Sequence, residues 1–109
     1  MPNPFVWFDL RTPERGSARR FYGDLLDWDI GEDGSMSAGG EPWGVVAEDS
    51  GVDAGHWLPY IQVENVDEAA RRAVALGATI VQEKTAGPAG FFTTIADPGG
   101  ARVALWEGP

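Results

Sequence analysis

The stretch that decides the fold is Phe5-Val-Trp-Phe-Asp-Leu-Arg-Thr-Pro-Glu-Arg-Gly-Ser-Ala-Arg-Arg-Phe-Tyr-Gly-Asp-Leu-Leu-Asp-Trp28, which predicts one strand followed directly by one helix. From Phe5 to Arg11 the side chains alternate between two faces, as they do in a half-buried strand. The face predicted to pack under the helix consists of Val6, Phe8 and Leu10, and the opposite face consists of Trp7, Asp9 and Arg11.

The helix is predicted from a start signal and from one apolar stripe. Thr12 can accept a hydrogen bond from the free amides at the helix start, and Pro13 at the first helical position loses no hydrogen bond. The stripe recurs at helical spacing and comprises Ala18, Phe21, Tyr22, Leu25 and Leu26. We therefore expect these side chains to pack on the sheet.

The same strand–helix order returns about 51 residues later, which indicates an internal repeat. A second strand is predicted over 56–63, and Asn65 with Glu68 three residues on resembles a capping box. The second apolar stripe comprises Val66, Ala69, Ala70, Ala73 and Leu76. Gly77 then provides a good helix end.

Three further strands are predicted after each helix. They are Trp28–Ile30, Ser35–Ala38 and Trp43–Ala47 in the first half, and Thr79–Glu83, Phe91–Ala96 and Ala101–Trp106 in the second. Lys84–Gly90 is expected to be a loop, and Asp97–Gly100 a tight turn. The 109 residues then form a single domain, with one module at about 4–47 and a second at about 56–107.

One helix covers only one face of a four-stranded sheet, so the other face of each module must meet a second module. That second module could belong to the same chain or to the partner in a dimer. Two curved sheets paired in this way enclose a cavity, and we expect binding or chemistry to take place there.

The composition is that of a globular domain with an acidic surface. Hydrophobic residues make up 43% of the chain, and the absence of cysteine excludes disulfides, thiolate metal sites and cysteine nucleophiles. A net charge of −9 argues against nucleic acid as a partner. It permits a cationic ligand, although an acidic surface also simply favours solubility. No signal peptide or membrane span is visible, so a cytoplasmic location without a membrane partner is expected.

Four segments resemble the vicinal oxygen chelate superfamily, which includes glyoxalase I, bleomycin-resistance proteins and extradiol dioxygenases. They are Val-Trp-Phe-Asp-Leu-x-Thr-Pro, Ala-x-x-Phe-Tyr-x-x-Leu-Leu-x-Trp, Trp-Leu-Pro-Tyr-Ile-x-Val-x-Asn-Val-Asp and Asp-Pro-Gly-Gly, and the resemblance covers nearly the whole chain. It implies an α+β fold in which two βαβββ modules form a curved eight-stranded sheet around a cavity, with the helices outside. It also implies a homodimer, because small members of the superfamily usually pair.

Metal enzymes of this superfamily carry a His or Gln on the first strand of each half and a Glu on a last strand. Carried over, these positions fall on Trp7, on Leu58 or one of its two neighbours, and on Ala104. None of these side chains can bind a divalent ion, so we expect no metal and no other cofactor. His56 is the only histidine, and we expect it at the entrance of a strand.

The faces predicted to line the cavity are aromatic with a few polar groups. They comprise Trp7, Asp9, Arg11, Trp43, Leu58, Tyr60, Gln62, Phe92, Ala104 and Trp106, with Phe91 as the alternative to Phe92. Tryptophan and tyrosine stack on flat or cationic molecules, which the polar groups could orient. The competing interpretations are that the tryptophans fill a core, with Trp7 closing the metal site, and that Asp9 and Arg11 form a mutual ion pair.

The resulting prediction is a glyoxalase-like or bleomycin-resistance-like protein that binds a small aromatic or cationic molecule without a metal, as resistance proteins of the superfamily bind antibiotics. A metal-dependent lyase or dioxygenase of the same superfamily and a ligand-free interaction protein are the alternatives. A metal-free acid–base enzyme that uses Asp9 or Tyr60 also stays open, so whether the chain is an enzyme is undecided. The sequence has one histidine and shows no Ser-His-Asp arrangement around it. It also contains no phosphate-binding loop motif.

Overall fold

The computed structural model describes residues 2–109, and within this range it contains eight strands and two helices. The elements are β1 (Phe5–Thr12), α1 (Arg15–Leu25), β2 (Asp29–Ile30), β3 (Ser35–Ser37), β4 (Gly44–Glu48), β5 (His56–Gln62), α2 (Val66–Ala75), β6 (Thr79–Gly87), β7 (Gly90–Ala96) and β8 (Arg102–Glu107). The predicted α+β class and the two strand–helix–three-strand modules are confirmed. Neither helix of the described range has the length and apolar character that a membrane span requires.

The first compact unit is Trp7–Leu58, and its strands follow the order β2-β3-β4-β1. β1 and β4 are parallel, with Leu10 opposite Val46, and the other pairs are antiparallel. Its core consists of the buried Leu10, Met36 and Val46, against which Ala18 and Tyr22 of α1 pack. The predicted helix-side face of β1 therefore carries the core of this unit.

α1 differs from its prediction at its start and along its stripe. The helix begins at Arg15 with Glu14 at the cap position, and among the residues described no side chain caps it. Thr12 instead ends β1 opposite Glu48, and its hydroxyl accepts a hydrogen bond from the Glu14 amide at 3.1 Å. Strand pairing thus holds Thr12 in the strand, and the predicted cap is wrong.

The outer part of the predicted α1 stripe is not buried. Phe21 and Leu25 are 58% and 62% exposed, and Leu26 also lies at the surface. Tyr22 reaches the core because it stacks on Trp28, with ring centroids 5.6 Å apart. The short strands β2 and β3 offer too narrow a surface to cover the full stripe.

The second compact unit runs from Pro59 to Pro109 and also includes the first residues of β1 and the segment before them. Its strands follow the order β5-β8-β7-β6, with β5 and β8 parallel and the other pairs antiparallel. The amide of Gln62 donates to the carbonyl of Pro4 at 3.0 Å, and the Asn3 amide group donates to the Gln62 carbonyl. The N-terminal residues therefore attach to the second unit.

α2 confirms its predicted start. The Asn65 side chain accepts a hydrogen bond from the Glu68 amide at 2.9 Å, and the carboxylate of Glu107 accepts one from the Val66 amide at 2.8 Å. Val66 is fully buried with Ile95 and Leu105. The helix start is thus held by two oxygen acceptors and by a core contact.

The end of α2 differs from its prediction at one residue. Gly77 has the positive φ of 107° expected of a helix terminator. Leu76 is the C-cap residue and is 68% exposed, so its place in the buried stripe is wrong. The chain leaves the helix after Ala75, and this turns Leu76 away from the sheet.

The β6–β7 hairpin is longer than predicted. β6 continues to Gly87, so most of the expected loop over 84–90 is strand, and only two residues separate it from β7. Register shifts interrupt the pairing after Ile80 and after Gln82, which explains why strict alternation is missing from the sequence there. The turn at Asp97 is confirmed, because its carboxylate accepts from the amides of Gly99 and Ala101, both at 2.9 Å.

Gly90 and Gly100 give a matched test of the hairpin, because their φ angles are 95° and 94°. A Cβ on Gly90 would lie 2.0 Å from the carbonyl oxygen of Glu107, whereas one on Gly100 would meet nothing within 4 Å. We expect Gly100→Ala to lower the free energy of unfolding by about 1 kcal/mol through backbone strain. Gly90→Ala should lower it by about 3 kcal/mol, because overpacking adds to strain. Urea denaturation measures both, and equal losses would contradict the close approach.

Candidate functional site

Three predicted site residues of β1 form one hydrogen-bonded group on the face opposite the core. The indole of Trp7 donates to Oδ1 of Asp9 at 3.0 Å, and the guanidinium of Arg11 donates to Oδ2 through Nε at 3.1 Å and Nη2 at 3.0 Å. Alternation along a strand brings residues two apart to one face, which is why these neighbours meet. The ion pair weighed for Asp9 and Arg11 is confirmed.

The carboxylate at the centre of this group is buried. Asp9 is only 5% exposed, and a buried carboxylate requires the charge and the donors that Arg11 and Trp7 supply. Both oxygens of Asp9 therefore accept hydrogen bonds, one from the indole and one from the guanidinium.

The second unit presents a separate set of predicted residues on the face away from α2. Tyr60, Ala104 and Thr94 lie opposite one another across β5, β8 and β7, and Gln62, Trp106 and Phe92 form the next row. The alternate residues Ile61, Val103 and Leu105 belong to the core under α2. Four predicted aromatic and polar side chains therefore share one face with Ala104.

Two rings of this face meet above β8. Tyr60 and Phe92 have ring centroids 5.5 Å apart at an angle of 55°, although β8 runs between their strands. The indole of Trp106 donates to the carbonyl of Ala89 at 2.6 Å and is held toward the β6–β7 turn. Phe91 points to the other side of β7, where the Lys84 ammonium lies 4.7 Å from its ring centroid. Of the two alternatives, Phe92 is the one on the predicted face.

Thr94 is a further residue of this face that was not predicted. It is 4% exposed, and its hydroxyl has no hydrogen-bond partner among the residues described. The sequence does contain the information that places Thr94 on this face, because Thr94 follows Phe92 by two positions in a strand. Threonine has high β-propensity, so its presence in a strand does not by itself mark it as a site residue.

Trp43 packs within the first unit. Its ring centroid is 4.7 Å from that of Trp28 and 6.3 Å from that of Phe8, and it packs against the core under α1. The competing interpretation of this tryptophan as a core residue therefore agrees with its contacts in the structure.

The positions carried over from metal enzymes lack suitable donors. Leu58 and Ala104 are buried hydrocarbon side chains, and the Trp7 indole nitrogen is engaged as a donor to Asp9. In the part of the chain that the structure describes, no three His, Cys, Asp or Glu side chains are grouped as a metal site requires. His56 is the first residue of β5, as predicted. The residues present do not fit the superfamily's metal.

An open groove of about 370 Å³ lies at the start of α1. Its lining residues are Thr12, Pro13, Glu14, Ser17, Ala18, Phe21 and Gly55. None of them was predicted as a site residue. The groove offers one carboxylate and two hydroxyl-bearing residues along an open surface, so few groups converge on a bound molecule there.

Comparisons with known proteins match this fold. A family model described as a glyoxalase-like domain matches residues 6–106. The Mycobacterium bovis protein CFP32, whose name carries the word glyoxylase, is 28% identical over 116 residues, which cover 93% of this chain and 44% of CFP32. The Streptomyces peucetius protein DnrV, named an anthracycline biosynthesis protein, is 30% identical over 122 residues, which cover 98% of this chain and 42% of DnrV. The chain thus spans less than half the length of these relatives.

The solved structures show the same fold at low sequence identity. The crystal structure of methylmalonyl-CoA epimerase from Mycobacterium tuberculosis has a TM-score of 0.64 and is 17% identical. The match covers 96% of this chain and 87% of that one. At this identity the likeness concerns the fold alone.

The Asp9 group and the exposed Asp67–Lys84 pair allow a matched test of burial. Asp9→Asn should lower the free energy of unfolding by about 3 kcal/mol, because Arg11 would keep its charge and lose its carboxylate partner. Asp67→Asn removes a pair of equal length, 3.0 Å, whose side chains are largely exposed, and should cost less than about 1 kcal/mol. Chemical denaturation compares them, and a similar small loss for both would mean that the Asp9 group does not stabilise the strand.

Proposed function

The chain belongs to the glyoxalase-like domain family, and on that premise we propose that it binds a small aromatic or cationic molecule without a metal ion. The observation that carries this proposal is the face of the second unit on which Tyr60 and Phe92 meet above Ala104. At the position where the resemblance places a carboxylate ligand of the metal enzymes, this chain has the methyl group of Ala104, opposite Tyr60 and next to the row of Phe92. That exchange replaces coordination chemistry with a surface suited to stacking.

The chemistry of this face favours a flat ligand. An aromatic ring stacks on tyrosine and phenylalanine with a gain beyond simple burial, and a positive charge is attracted to their ring faces. Gln62 lies in the next row and offers an amide that can both donate and accept hydrogen bonds. The net charge of −9 raises the local concentration of a cationic molecule.

The relatives support the same class of ligand. DnrV is named for anthracycline biosynthesis, and anthracyclines combine a flat ring system with an ammonium group. Because the chain matches less than half of DnrV, we infer from DnrV only the class of ligand and no reaction. We propose binding as the function, in the manner expected from the resemblance to resistance proteins.

The test is a calorimetric titration of the purified chain with daunorubicin, with and without a chelator. We expect saturable, stoichiometric binding that the chelator leaves unchanged. Phe92→Ala should weaken it about fivefold through the loss of one stacking ring.

The matched control is Phe91→Ala, since Phe91 precedes Phe92 on the same strand and lies under Lys84 on the opposite side. It should leave the affinity unchanged. Absence of binding by the unmodified chain, binding only after addition of Zn or Ni, or equal weakening by both substitutions would contradict the proposal.

A further inference from the structure

We propose that Thr94 supplies the inner hydrogen bond of a subsite between the Tyr60 and Phe92 rings, and that this subsite takes a flat aromatic ring bearing a carbonyl or hydroxyl group. The inference rests on the proposed function, because it states where the aromatic part of the ligand enters and which polar group that part carries. The structural basis of this subsite is the buried hydroxyl of Thr94.

A buried hydroxyl without a partner is unusual and unfavourable. Thr94 is only 4% exposed, and its Oγ1 has no hydrogen-bond partner among the residues described. Removing a hydroxyl from water without a compensating bond costs free energy, so a ligand atom that meets this oxygen recovers it. The hydroxyl can both donate and accept, so a ligand carbonyl and a ligand hydroxyl are equally suitable.

Two aromatic rings lie on the face of the sheet that carries Thr94. Thr94 lies opposite Ala104, and Ala104 lies opposite Tyr60, so all three share one row of the sheet. Phe92 precedes Thr94 by two residues on the same face, and its ring leans across β8 to within 5.5 Å of the Tyr60 ring centroid. Ala104, the β8 residue opposite both Tyr60 and Thr94, has only a methyl group and leaves room above this row.

The same arrangement defines how a ligand enters. Phe92 is only half-buried, so its ring can rotate toward solvent, whereas Tyr60 is buried and stays in place. A flat ring that enters over Ala104 then lies between the two aromatic side chains, with its inner edge at Thr94. A hydrocarbon ring in this place would leave the hydroxyl buried and unpaired, so the site should distinguish the two kinds of ring.

The test uses two flat probes that differ in the carbonyl groups of the central ring: anthraquinone and anthracene carrying the same trimethylammoniomethyl group. We expect the unmodified chain to bind the anthraquinone about fivefold more tightly, which corresponds to one hydrogen bond. Thr94→Val keeps the side-chain shape without the hydroxyl and should remove this preference. Thr94→Ser keeps the hydroxyl and should retain it.

Thr93→Val is the matched control, because Thr93 is equally buried, at 3% exposure, and lies opposite Leu105 on the side of α2. The Thr93→Val variant should still bind the anthraquinone more tightly than the anthracene. That result would show that a Thr-to-Val change in this strand is not enough to abolish the preference. Near-UV circular dichroism checks that each variant is folded.

The outcomes separate the two proposals. If the unmodified chain binds daunorubicin but binds both probes equally, or if Thr94→Val retains the preference, the Thr94 subsite is wrong and the proposed function stands. If Thr94→Val only lowers stability and leaves the preference unchanged, the hydroxyl serves the fold and the subsite is again wrong. If the unmodified chain binds neither the probes nor daunorubicin, the proposed function fails, and the subsite fails with it.

Discussion

A four-stranded sheet with one helix has one covered face, and this constraint governs both halves of the chain. The covered face must bury apolar side chains, and it does so through Leu10, Met36 and Val46 in one unit and Val66, Ile95 and Leu105 in the other. Because side chains alternate along a strand, each core residue determines the face of its neighbours. Asp9 and Tyr60 lie on the opposite faces because their neighbours Leu10 and Ile61 pack in the cores under the helices.

The same constraint explains which parts of the fold could be predicted from the sequence. Strand alternation in β1 and β8, the Asn65 cap and the Asp97 turn each depend on contacts that are local or periodic, so the sequence pattern contains them. Thr12 could not be placed in this way. Its strand pairing with Glu48 competes with a helix cap, and that partner lies far along the chain.

Two residues depend on contacts that the sequence does not contain. The sequence left Trp43 open between cavity wall and core, and only its ring contacts with Trp28 and Phe8 place it against the core. The face of Thr94 was predictable, but the lack of a hydrogen-bond partner for its hydroxyl among the residues described was not. Whether a buried polar atom is satisfied depends on every neighbour in three dimensions, which no single strand reveals. The enclosed cavity and the homodimer stay predictions.

The positions that the resemblance assigns to metal ligands are few. Trp7 and Ala104 place an indole and a methyl group there, and the surrounding strands keep the family fold. In a scaffold whose core lies on the helix side, side chains of the other face can vary with little effect on folding. On that face of β1, the buried Asp9 carboxylate accepts hydrogen bonds from Trp7 and Arg11.

The hydrogen bond from the Val66 amide to Glu107 couples two distant parts of the second unit. The donor stands at the first residue of α2 and the acceptor at the last residue of β8, 41 positions later. The helix start is therefore completed only after the final strand has joined the sheet, which makes the two elements cooperative during folding. Asn65 is adjacent to the helix and Glu107 is 41 positions away, so before β8 joins the sheet only Asn65 can cap α2.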